Sequence, residues 1–388
     1  MEIFSLVKQL QAEGHQITSL CVGEPDFQPP QAVLDALQQA LREGDTKYTA
    51  VTGTLDLRRA IRQDLADRKQ ITTLDETDIV VGNGAKQCVY QAILATVGPG
   101  DAVLIPAPYW PSYPEMVVLA GAEPILVPTA STDGFLLTPS TLRTTLEQHP
   151  NAKLLIFCNP SNPTGGVHDQ ERLQELVSVL EDYPRVSVLA DEIYERLVYR
   201  PGMTSSPAMA ALLPDRTITI NGFSKAYAMT GFRLGYAAAP PAVAKAMATI
   251  QSQLTSCASS LSQAAGVAAL QQVSEDELQG LYDAMKEKRD YVVERLRQIP
   301  HVSLPVVPEG AFYLLPDVSH YCEDKTNDTQ LCLDLLQSHG LALVPGSSFG
   351  APGTIRISYA TSMEELDTAM TKFEQFLQSR EAQQQPQD

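Results

Sequence analysis

Seven short runs of apolar and β-branched residues recur between residues 79 and 239, separated by longer stretches with helical periodicity. The runs are IVV (79–81), AVLIP (102–106), PILVP (124–128), LLIFC (154–158), VSVLA (186–190), TITI (217–220) and RLGYAAA (233–239). Continuous apolar runs are typical of strands buried on both faces, and intervening helices are typical of parallel strands. The pattern predicts an α/β fold in which helices cover both faces of a seven-stranded, mostly parallel sheet. Ligand-binding residues are then expected at the carboxyl ends of the strands.

The pattern changes after about residue 270, where a long charged helical stretch replaces the alternation of strands and helices. A helix from Ser362 and three short strand-like pieces follow, and the pieces are AFYLLP (311–316), LALVPG (341–346) and TIRISYA (354–360). This mixture is typical of a smaller α+β domain, which the N-terminal residues should join because they carry no strand–helix repeat of their own. We predict a large domain over 28–270, a small domain from 1–27 and 271–380, and a disordered Gln-rich tail over 381–388.

The charge balance and the positions of the cysteines exclude several classes of partner and site. The chain carries 46 Asp and Glu residues against 28 Lys and Arg residues, a formal net charge of −18. Nucleic acid and anionic membrane surfaces attract positive proteins, so neither is an expected partner. The six cysteines are scattered without a CxxC pair, which is typical of reduced thiols in the cytoplasm, or in an organelle stroma or matrix after processing. Without an HExxH motif, clustered Cys/His ligands or a long apolar stretch, the sequence predicts neither a metal site nor a transmembrane helix.

One lysine follows the strand-like run TITI within the segment NGFSKAYAMTGFRLGY. Most lysines in such positions are solvated surface charges. A lysine that is desolvated by burial has a lowered pKa and becomes a nucleophile toward an aldehyde. Lys225 is therefore a candidate catalytic amine, and Arg233 on the same segment is a candidate ligand for a phosphate.

Two polar residues follow the run VSVLA in the segment ADEIYERLVY. Asp191 ends that predicted strand, where an unpaired buried carboxylate would be costly but a protonated ring nitrogen would stabilise it. Tyr194 could present its phenol to the same ligand. The alternative is a helix N-cap for Asp191 and a packing role for Tyr194.

Two further loops follow predicted strands. In FCNPSNPTGG, two Asn-Pro steps and Gly-Gly predict a rigid, non-helical loop that aims the amide of Asn162 at a ligand. In VVGNGAKQCVYQAIL, a helix begins around Gly84, Ala85 and Lys86, where free amides and the helix dipole favour a phosphate. This second segment is neither a Walker loop nor a GxGxxG fingerprint, and it carries little weight alone.

Four more residues are candidates because of their position or surroundings. Trp110 is the single tryptophan and follows the run AVLIP, where it could stack on a flat ligand, although a lone aromatic residue more often belongs to the core. Arg356 lies in TIRISYA, and a buried arginine in apolar surroundings almost always holds an anion or a carboxylate. Gly23 in VGEPDF and Tyr48 in KYTAVTG are candidate site residues only in combination with the other segments.

Taken together, these segments resemble the class I aminotransferases, fold-type I enzymes that depend on pyridoxal 5′-phosphate. The resemblance covers nearly the whole chain and keeps the family's order of motifs: GEPDF, KYTAVTG, PYWPSYPEM, NPSNPTG, DEIY, SKAYAMTGFRLGY and IRISYA. The spacing agrees as well, with 34 residues from Asp191 to Lys225 and 8 from Lys225 to Arg233. Within the family, the chain is most similar to prokaryotic-type aspartate aminotransferases. Many relatives carry a phosphate-binding Ser three residues before the lysine, and Gly222 occupies that position here.

The resemblance implies roles around the cofactor ring. Lys225 would bind the cofactor aldehyde covalently and later move the substrate proton as a base. Asp191 would keep the pyridine nitrogen protonated, a general arrangement for this cofactor. Tyr194 and Asn162 would hydrogen-bond the 3-oxygen of the ring, and Trp110 would stack on the ring.

The resemblance also implies binding positions for the phosphate and the substrate. The residues around the cofactor phosphate would be Gly84, Ala85, Lys86 and Arg233. Arg356, Asn162 and the Gly23 backbone would bind the α-carboxylate of an amino acid or a 2-oxo acid. Tyr48 would reach the cofactor from the neighbouring subunit, so the resemblance implies a homodimer with shared active sites.

The preferred substrate and the reaction outcome stay open at this stage. The resemblance favours aspartate with 2-oxoglutarate, with prephenate as a second amino acceptor, and Lys86 is a candidate partner for the distal carboxylate. An alanine, aromatic or broad-specificity aminotransferase is an alternative, as is a lyase of the same fold that uses the same cofactor. A non-catalytic regulator on this fold would add a basic DNA-binding domain, which the acidic composition argues against.

Overall fold

A computed structural model describes residues 2–384. Its strands are β1 (Thr18–Ser19), β2 (Ile79–Gly82), β3 (Ala102–Ala107), β4 (Glu123–Pro128), β5 (Ala152–Cys158), β6 (Ser187–Asp191), β7 (Thr217–Gly222), β8 (Gly235–Ala238), β9 (Tyr313–Leu314), β10 (Leu341–Ala342), β11 (Val344–Pro345) and β12 (Ile355–Ser358). Its helices are α1 (Glu2–Ala12), α2 (Gln31–Glu43), α3 (Leu55–Lys69), α4 (Ala85–Thr96), α5 (Ser112–Leu119), α6 (Pro139–Gln148), α7 (Gln170–Glu181), α8 (Met209–Leu212), α9 (Pro241–Leu254), α10 (Ser260–Gln271), α11 (Glu275–Arg297), α12 (Asp328–His339) and α13 (Met363–Gln384). None of the described helices combines the length and the apolarity that crossing a bilayer requires.

The central sheet has seven strands in the order β2-β8-β7-β6-β5-β3-β4. β8 runs antiparallel to both of its neighbours, and the other neighbouring pairs are parallel. Each of the seven apolar runs in the sequence lies in this sheet, so the predicted α/β class and its mostly parallel sheet are confirmed. Parallel neighbours need a crossover connection, and α7 provides one between β5 and β6.

Except at the edge strand β4, where only Val127 is fully buried, the sheet is buried on both faces because alternate residues of a strand pack into different apolar clusters. In β3, Val103 and Ile105 belong to the cluster that includes α4 and α5, whereas Leu104 belongs to the cluster that includes α6 and α7. All three side chains are 0% exposed. Each such burial stabilises the fold by about 1.5–3 kcal/mol. Burial from both sides explains why the sequence shows continuous apolar runs instead of alternation.

The parallel strands end at one edge of the sheet, where β8 begins. Gly235 at the start of β8 pairs with Gly82 on one side and with Gly222 on the other. A Cβ on Gly235 would collide with the backbone nitrogen of Ala85. The absence of a side chain at Gly235 therefore allows the first turn of α4 to pack directly against this edge.

Two small sheets are formed by strands that follow α11, together with β1 from the N-terminal segment. The strands β11, β12 and β9 form an antiparallel sheet in that order, and β1 pairs in parallel with β10. The Ser358 N–H donates to the carbonyl of Leu20 at 3.1 Å, a second link between the N-terminal segment and this region. The three predicted strand-like pieces are thus strands, although short ones. These links support the division into a large domain (28–270) and a small domain (1–27 and 271–380), which remains a proposal.

The last helix extends further than the sequence indicated. Ser362 caps it, because its Oγ accepts a hydrogen bond from the Glu365 N–H at 3.2 Å. The helix continues to Gln384, so residues 381–384, which we predicted to be part of a disordered tail, are helical. Glu, Ala and Gln are good helix formers, and a helix that already exists can extend through them without a new nucleation step. Residues 385–388 lie outside the described residues.

Candidate active site

A cavity of about 620 Å³ opens at the carboxyl edge of the central sheet. It brings together most of the residues that the sequence singled out: Gly23, Ala85, Lys86, Trp110, Asn162, Asp191, Tyr194, Lys225, Arg233 and Arg356. The reason is topological. Asp191 ends β6, Lys225 follows β7 closely and Ala85 begins α4 soon after β2. Because the carboxyl ends of parallel strands meet at one edge, residues distant in the sequence meet there too.

Lys225 lies in the turn after β7, and burial decides its chemistry. Its Nζ donates a hydrogen bond to the carbonyl of Gly23 at 2.5 Å and lies 5.9 Å from the centre of the Phe312 ring. Burial, with a smaller effect of the nearby Arg233 in the same direction, lowers the pKa of Lys225 to about 8, and the charge of Glu24 opposes this shift. An amine with this pKa is partly unprotonated near neutral pH, so Lys225 can act as a nucleophile or as a base.

Asp191 is buried at the end of β6 and accepts two hydrogen bonds. The Tyr113 hydroxyl donates to Oδ2 at 2.6 Å, and the Ile193 N–H donates to Oδ1 at 3.3 Å. Burial raises the pKa of Asp191, and these two hydrogen bonds offset part of that rise. Residues 193–196 form a turn rather than a helix, so the helix N-cap alternative is wrong. A buried carboxylate whose direct partners are neutral donors is well placed to bind a cationic ring nitrogen.

Tyr194 contacts a second tyrosine of the cavity through its hydroxyl group. Its hydroxyl lies 2.9 Å from the hydroxyl of Tyr313 on β9. Burial raises the pKa of Tyr194 well above its usual range, so its phenol stays protonated and can donate a hydrogen bond. A Cβ on Gly23 would collide with the Tyr313 hydroxyl. Glycine at position 23 therefore lets the Tyr313 phenol reach Tyr194.

Arg356 on β12 is a buried guanidinium whose hydrogen-bond partners are neutral oxygens. Its Nη1 donates to Oδ1 of Asn162 at 3.2 Å, and its Nη2 donates to the carbonyl of Cys21 at 2.7 Å. The ring centres of Tyr313 and Phe349 lie 4.4 and 4.8 Å from its Cζ. Its Nε is shielded from solvent and makes no hydrogen bond. A buried cation with an unused donor is well placed to bind a carboxylate of a substrate.

Gly84 and Arg233 shape one end of the cavity for an anion. Gly84 has a φ of +87° and directly precedes α4, whose first N–H groups and dipole favour negative charge. Arg233 Nη1 donates to the carbonyl of Thr230 at 3.0 Å. A Cβ on Gly84 would lie 2.6 Å from Arg233 Nη2, so only glycine lets the guanidinium approach the helix this closely. A phosphate group fits this combination of amides, dipole and guanidinium.

Trp110 and Lys86 line the cavity, whereas Tyr48 lies outside it. Lys86 Nζ is 5.0 Å from the centre of the Trp110 ring. Trp110 also makes an edge contact with Tyr113, with ring centres 5.2 Å apart. Tyr48 is 90% exposed in the single chain. The contact of Tyr48 with a cofactor in a neighbouring subunit therefore stays a prediction.

Among the cavity residues that were not predicted from the sequence are Tyr113, Cys158 and Tyr313. Tyr113 follows Trp110 within PYWPSYPEM, so its segment was noticed but its partner Asp191 was not. Cys158 ends β5, and this position at a strand end could have marked it. Burial raises the pKa of Cys158 to about 12, so its thiol is not a nucleophile. Tyr313 carried no signal, because AFYLLP is typical of any short strand.

A group of buried charges lies behind the turn that follows β6. Lys69 Nζ at the end of α3 is 3.1 Å from Glu192 Oε2, and Arg68 Nη2 is 2.9 Å from Glu195 Oε1. We call these four residues the buried ion cluster. Burial raises the pKa of Glu192. Burial would raise the pKa of Glu195 as well, but Arg68 and Lys69 lower it to about 2. The cluster ties α3 to the segment that carries the active-site carboxylate and phenol.

A second cavity of about 520 Å³ lies between residues 132–139 and 305–309. Its charged lining residues are Asp133, Arg172, Glu175 and Glu309. None of its lining residues is a lysine, cysteine or histidine. It therefore offers no amine, thiol or imidazole, and the cavity around Lys225 is the better candidate for catalysis.

Known proteins resemble the chain over nearly its whole length. The family model described as aminotransferase class I and II matches residues 15–373. An aspartate aminotransferase of Pinus pinaster is 44% identical over an alignment of 387 residues that covers 97% of this chain and 78% of that protein. A bifunctional aspartate aminotransferase and glutamate/aspartate-prephenate aminotransferase of Petunia hybrida is 43% identical over 94% of this chain and 77% of that protein. The crystal structure of the aspartate aminotransferase from Rhizobium meliloti matches with a TM-score of 0.92 at 38% identity, over 97% of this chain and 95% of that one. The chain belongs to the class I and II aminotransferases and is an aspartate aminotransferase-like enzyme.

Proposed function

We propose that this aminotransferase binds pyridoxal 5′-phosphate in the cavity around Lys225 and transfers the amino group of L-aspartate to 2-oxoglutarate. The family uses this cofactor. One observation carries the proposal, the convergence of three buried groups in a single cavity. Lys225 supplies an amine with a lowered pKa, Asp191 a carboxylate with neutral partners and Arg356 a guanidinium with an unused Nε.

The residues present fit the cofactor. A phosphate matches the end of the cavity where Gly84 leaves room beside Arg233. A protonated ring nitrogen matches Asp191. The residues that would hold the cofactor, from its phosphate to its aldehyde, are Gly84, Ala85, Lys86, Arg233, Trp110, Asn162, Tyr194, Asp191 and Lys225. When bound, the cofactor supplies an electron-withdrawing ring that makes the proton on the substrate Cα removable.

Lys225 is the proposed base for the proton on the substrate Cα. A base works best when its pKa lies near the working pH, and burial lowers the pKa of Lys225 to about 8. A well-placed general base contributes about 10²–10⁴-fold to a rate. Tyr194 stays protonated, so it can donate a hydrogen bond to an oxygen that gains negative charge during the reaction.

Arg356 and Asn162 are the proposed ligands of the substrate α-carboxylate. Arg356 uses Oδ1 of Asn162 as an acceptor, which leaves the Asn162 amide nitrogen free to donate to the same carboxylate. The backbone of Gly23 also lines the cavity and would complete the site. This arrangement explains a preference for α-amino acids and 2-oxo acids over simple amines.

Lys86 is the proposed partner of the distal carboxylate of aspartate. Its Nζ lies beside the Trp110 ring and lines the cavity, so a second carboxylate could pair with it. The relatives named above as aspartate and aspartate-prephenate aminotransferases support an acidic substrate. Prephenate is the second candidate acceptor. If Lys86 does not bind the distal carboxylate, the alternative functions are an alanine or aromatic aminotransferase and a lyase of this fold.

A homodimer is part of the proposal. Tyr48 is 90% exposed in the single chain although the family resemblance assigns it to a cofactor site. A tyrosine that reaches the phosphate of a second copy would be buried in the dimer and not in the monomer. Sedimentation of the holoenzyme and of Tyr48→Phe, together with cofactor affinity, tests this part.

A half-reaction screen tests the proposed function. Purified holoenzyme is mixed with each amino acid, and the absorption of the bound cofactor is followed before and after a 2-oxo acid is added. Aspartate should bleach the band and 2-oxoglutarate should restore it, whereas Lys225→Ala should show neither change. Lys86→Met should weaken the response to aspartate more than the response to alanine, because a loss of cofactor binding would affect both amino acids alike.

The reaction products separate transfer from elimination. Aspartate and 2-oxoglutarate should yield glutamate in equal amount to the aspartate consumed. Release of ammonia or pyruvate without glutamate would identify a lyase and would contradict the proposal. A stronger response to alanine than to aspartate would retain the aminotransferase but reject the aspartate specificity.

A further inference from the structure

Two histidines and one glutamate from distant parts of the sequence meet at the surface near the end of α13. His301 follows α11, His320 lies in the short turn Ser319–Tyr321, and Glu381 lies in the last turns of α13. Their ligand atoms all lie within 4.8 Å of one another, a spacing shared by no other such trio in the described part of the chain. We call these three residues the histidine–glutamate cluster. None of them lines the active-site cavity.

The distances in the cluster are close to those of a metal site. His301 Nε2 is 3.6 Å from Glu381 Oε1, and His320 Nε2 is 3.6 Å from Glu381 Oε2. Tetrahedral zinc holds His nitrogen and Glu oxygen at about 2.0–2.2 Å, so neighbouring ligand atoms around it lie roughly 3.4 Å apart. The two His–Glu distances therefore need to shorten by only a few tenths of an ångström, but the ligand atoms together lie within 4.8 Å of one another, so the cluster reaches coordination distance only after a side chain turns.

The Glu381 carboxylate has unused capacity to bind a cation. Its Oε2 is shielded from solvent and makes no hydrogen bond. The adjacent Arg380 does not neutralise it, because Arg380 donates to the Tyr321 carbonyl at 3.1 Å and pairs with Asp334. The Tyr321 hydroxyl donates to the carbonyl of Pro300 at 2.8 Å. A shielded carboxylate oxygen that makes no hydrogen bond is costly, and a bound cation would remove that cost.

We propose that His301, His320 and Glu381 bind one divalent cation of the zinc class, with water as the fourth ligand. Two imidazoles and one carboxylate form a donor set that zinc takes in proteins. The cation would connect the end of α13 to the turn after α11 and to the turn Ser319–Tyr321. It would thereby hold the C-terminal helix against the rest of the fold.

One ring must turn for both imidazoles to coordinate. In the structure the rings stack, with centres 3.9 Å apart and planes inclined by 20°. Stacked rings cannot both direct a nitrogen lone pair at one ion. The side chains of His301 and His320 are 52% and 40% exposed, so rotation about the side-chain bonds displaces little packing. The chain's formal charge of −18 also favours the approach of a cation.

Sequence spacing conceals this site. The three ligands come from positions 301, 320 and 381, and no short motif links them. For that reason the sequence alone predicted no metal site. The proposal revises that expectation, and it does not depend on the reaction in the cavity.

The test is zinc binding by the full-length holoenzyme. After treatment with a chelator and its removal, the protein is titrated with zinc chloride in a calorimeter. Cobalt(II) is added in a parallel experiment, because tetrahedral cobalt has strong visible absorption. We expect one zinc per chain, a tetrahedral cobalt spectrum, and a higher unfolding temperature with zinc because the ion binds only the native state.

Single substitutions decide whether the histidine–glutamate cluster is the site. His320→Ala and Glu381→Gln should each weaken zinc binding by at least about tenfold, since even outer partners of ligands contribute 10–100-fold. His15→Ala, an exposed histidine elsewhere, should bind like the unsubstituted chain. Circular dichroism and metal-free melting show that each variant is folded. Absence of zinc binding, or equal binding by His320→Ala and Glu381→Gln, would overturn the proposal.

Discussion

Replacing Lys69 by Met tests the role of the buried ion cluster. Lys69 Nζ lies 3.1 Å from Glu192 Oε2, and the two side chains are 1% and 2% exposed. Met keeps most of the volume of Lys but removes the charge. Glu192 would then lie in the interior without a direct cation, whereas Glu195 would keep Arg68 at 2.9 Å.

The expected loss of stability follows from this burial. Removing one partner of a buried ion pair costs about 3–5 kcal/mol, because the other charge remains desolvated and unpaired. Lys153 and Asp101 form a pair of similar length, 3.0 Å, but their side chains are 51% and 20% exposed. The same change, Lys153→Met, should cost only about 0–1 kcal/mol since water screens an exposed pair. The double variant Lys69→Met with Glu192→Gln should recover at least half of the loss, because no buried charge is left unpaired.

Urea unfolding measures these differences in the free energy of unfolding. Far-ultraviolet circular dichroism follows the helices, and fluorescence follows Trp110, the single tryptophan, inside the cavity. The deficit of Lys69→Met should shrink as the pH falls. Burial raises the pKa of Glu192, so the folded variant takes up a proton before the unfolded chain does. A Lys69→Met variant as stable as Lys153→Met, or a double variant no better than the single one, would refute the reasoning.

Three further predictions concern the cavity. Gly84→Ala should weaken cofactor binding by roughly 10–150-fold, because the new Cβ displaces the Arg233 guanidinium from the proposed phosphate site and a hydrogen bond to a charged group contributes about 1.5–3 kcal/mol; an unchanged dissociation constant in a cofactor titration would contradict it. Arg356→Gln should raise KM for aspartate by about 10–150-fold, since a hydrogen bond to a charged group contributes about 1.5–3 kcal/mol; a fall in kcat at constant KM would argue against carboxylate binding. In cofactor-free protein, the free energy of unfolding should rise between pH 8 and 10.5. Burial lowers the pKa of Lys225 to about 8 in the folded state, so the unfolded chain binds more protons in this pH range. The urea midpoints of Lys225→Met should not show that rise.

The central fold could be predicted from the sequence because its determinants are local. A strand buried on both faces is mostly apolar, so the buried strands left visible runs such as IVV and LLIFC. Residues that follow such runs necessarily reach the carboxyl edge of a parallel sheet. Lys225, Asp191 and Asn162 were identified for that reason, and the structure places all three in the cavity. Their roles toward the cofactor and substrate remain proposals.

Only the tertiary structure decided which side chains face one another. Tyr113 and Asp191 are 78 residues apart, and Tyr194 and Tyr313 are 119 residues apart, yet each pair is within hydrogen-bond distance. Lys69 offered no sign in the sequence that it would be buried, because it ends a helix rich in charged residues. Such contacts depend on how elements pack across the sheet, and a residue's neighbours along the chain carry no record of them.

The sequence by itself determined the strand runs, the edge at which the active site forms and the family to which the chain belongs. The folded chain decided the hydrogen bonds of Asp191, the neutral surroundings of Arg356 and the meeting of His301, His320 and Glu381. Hydrophobic periodicity is a pattern over a few neighbouring residues and can therefore be read from the sequence. Charge pairing, desolvation and metal-ligand geometry depend on distances in space, which the order of residues along the chain does not specify.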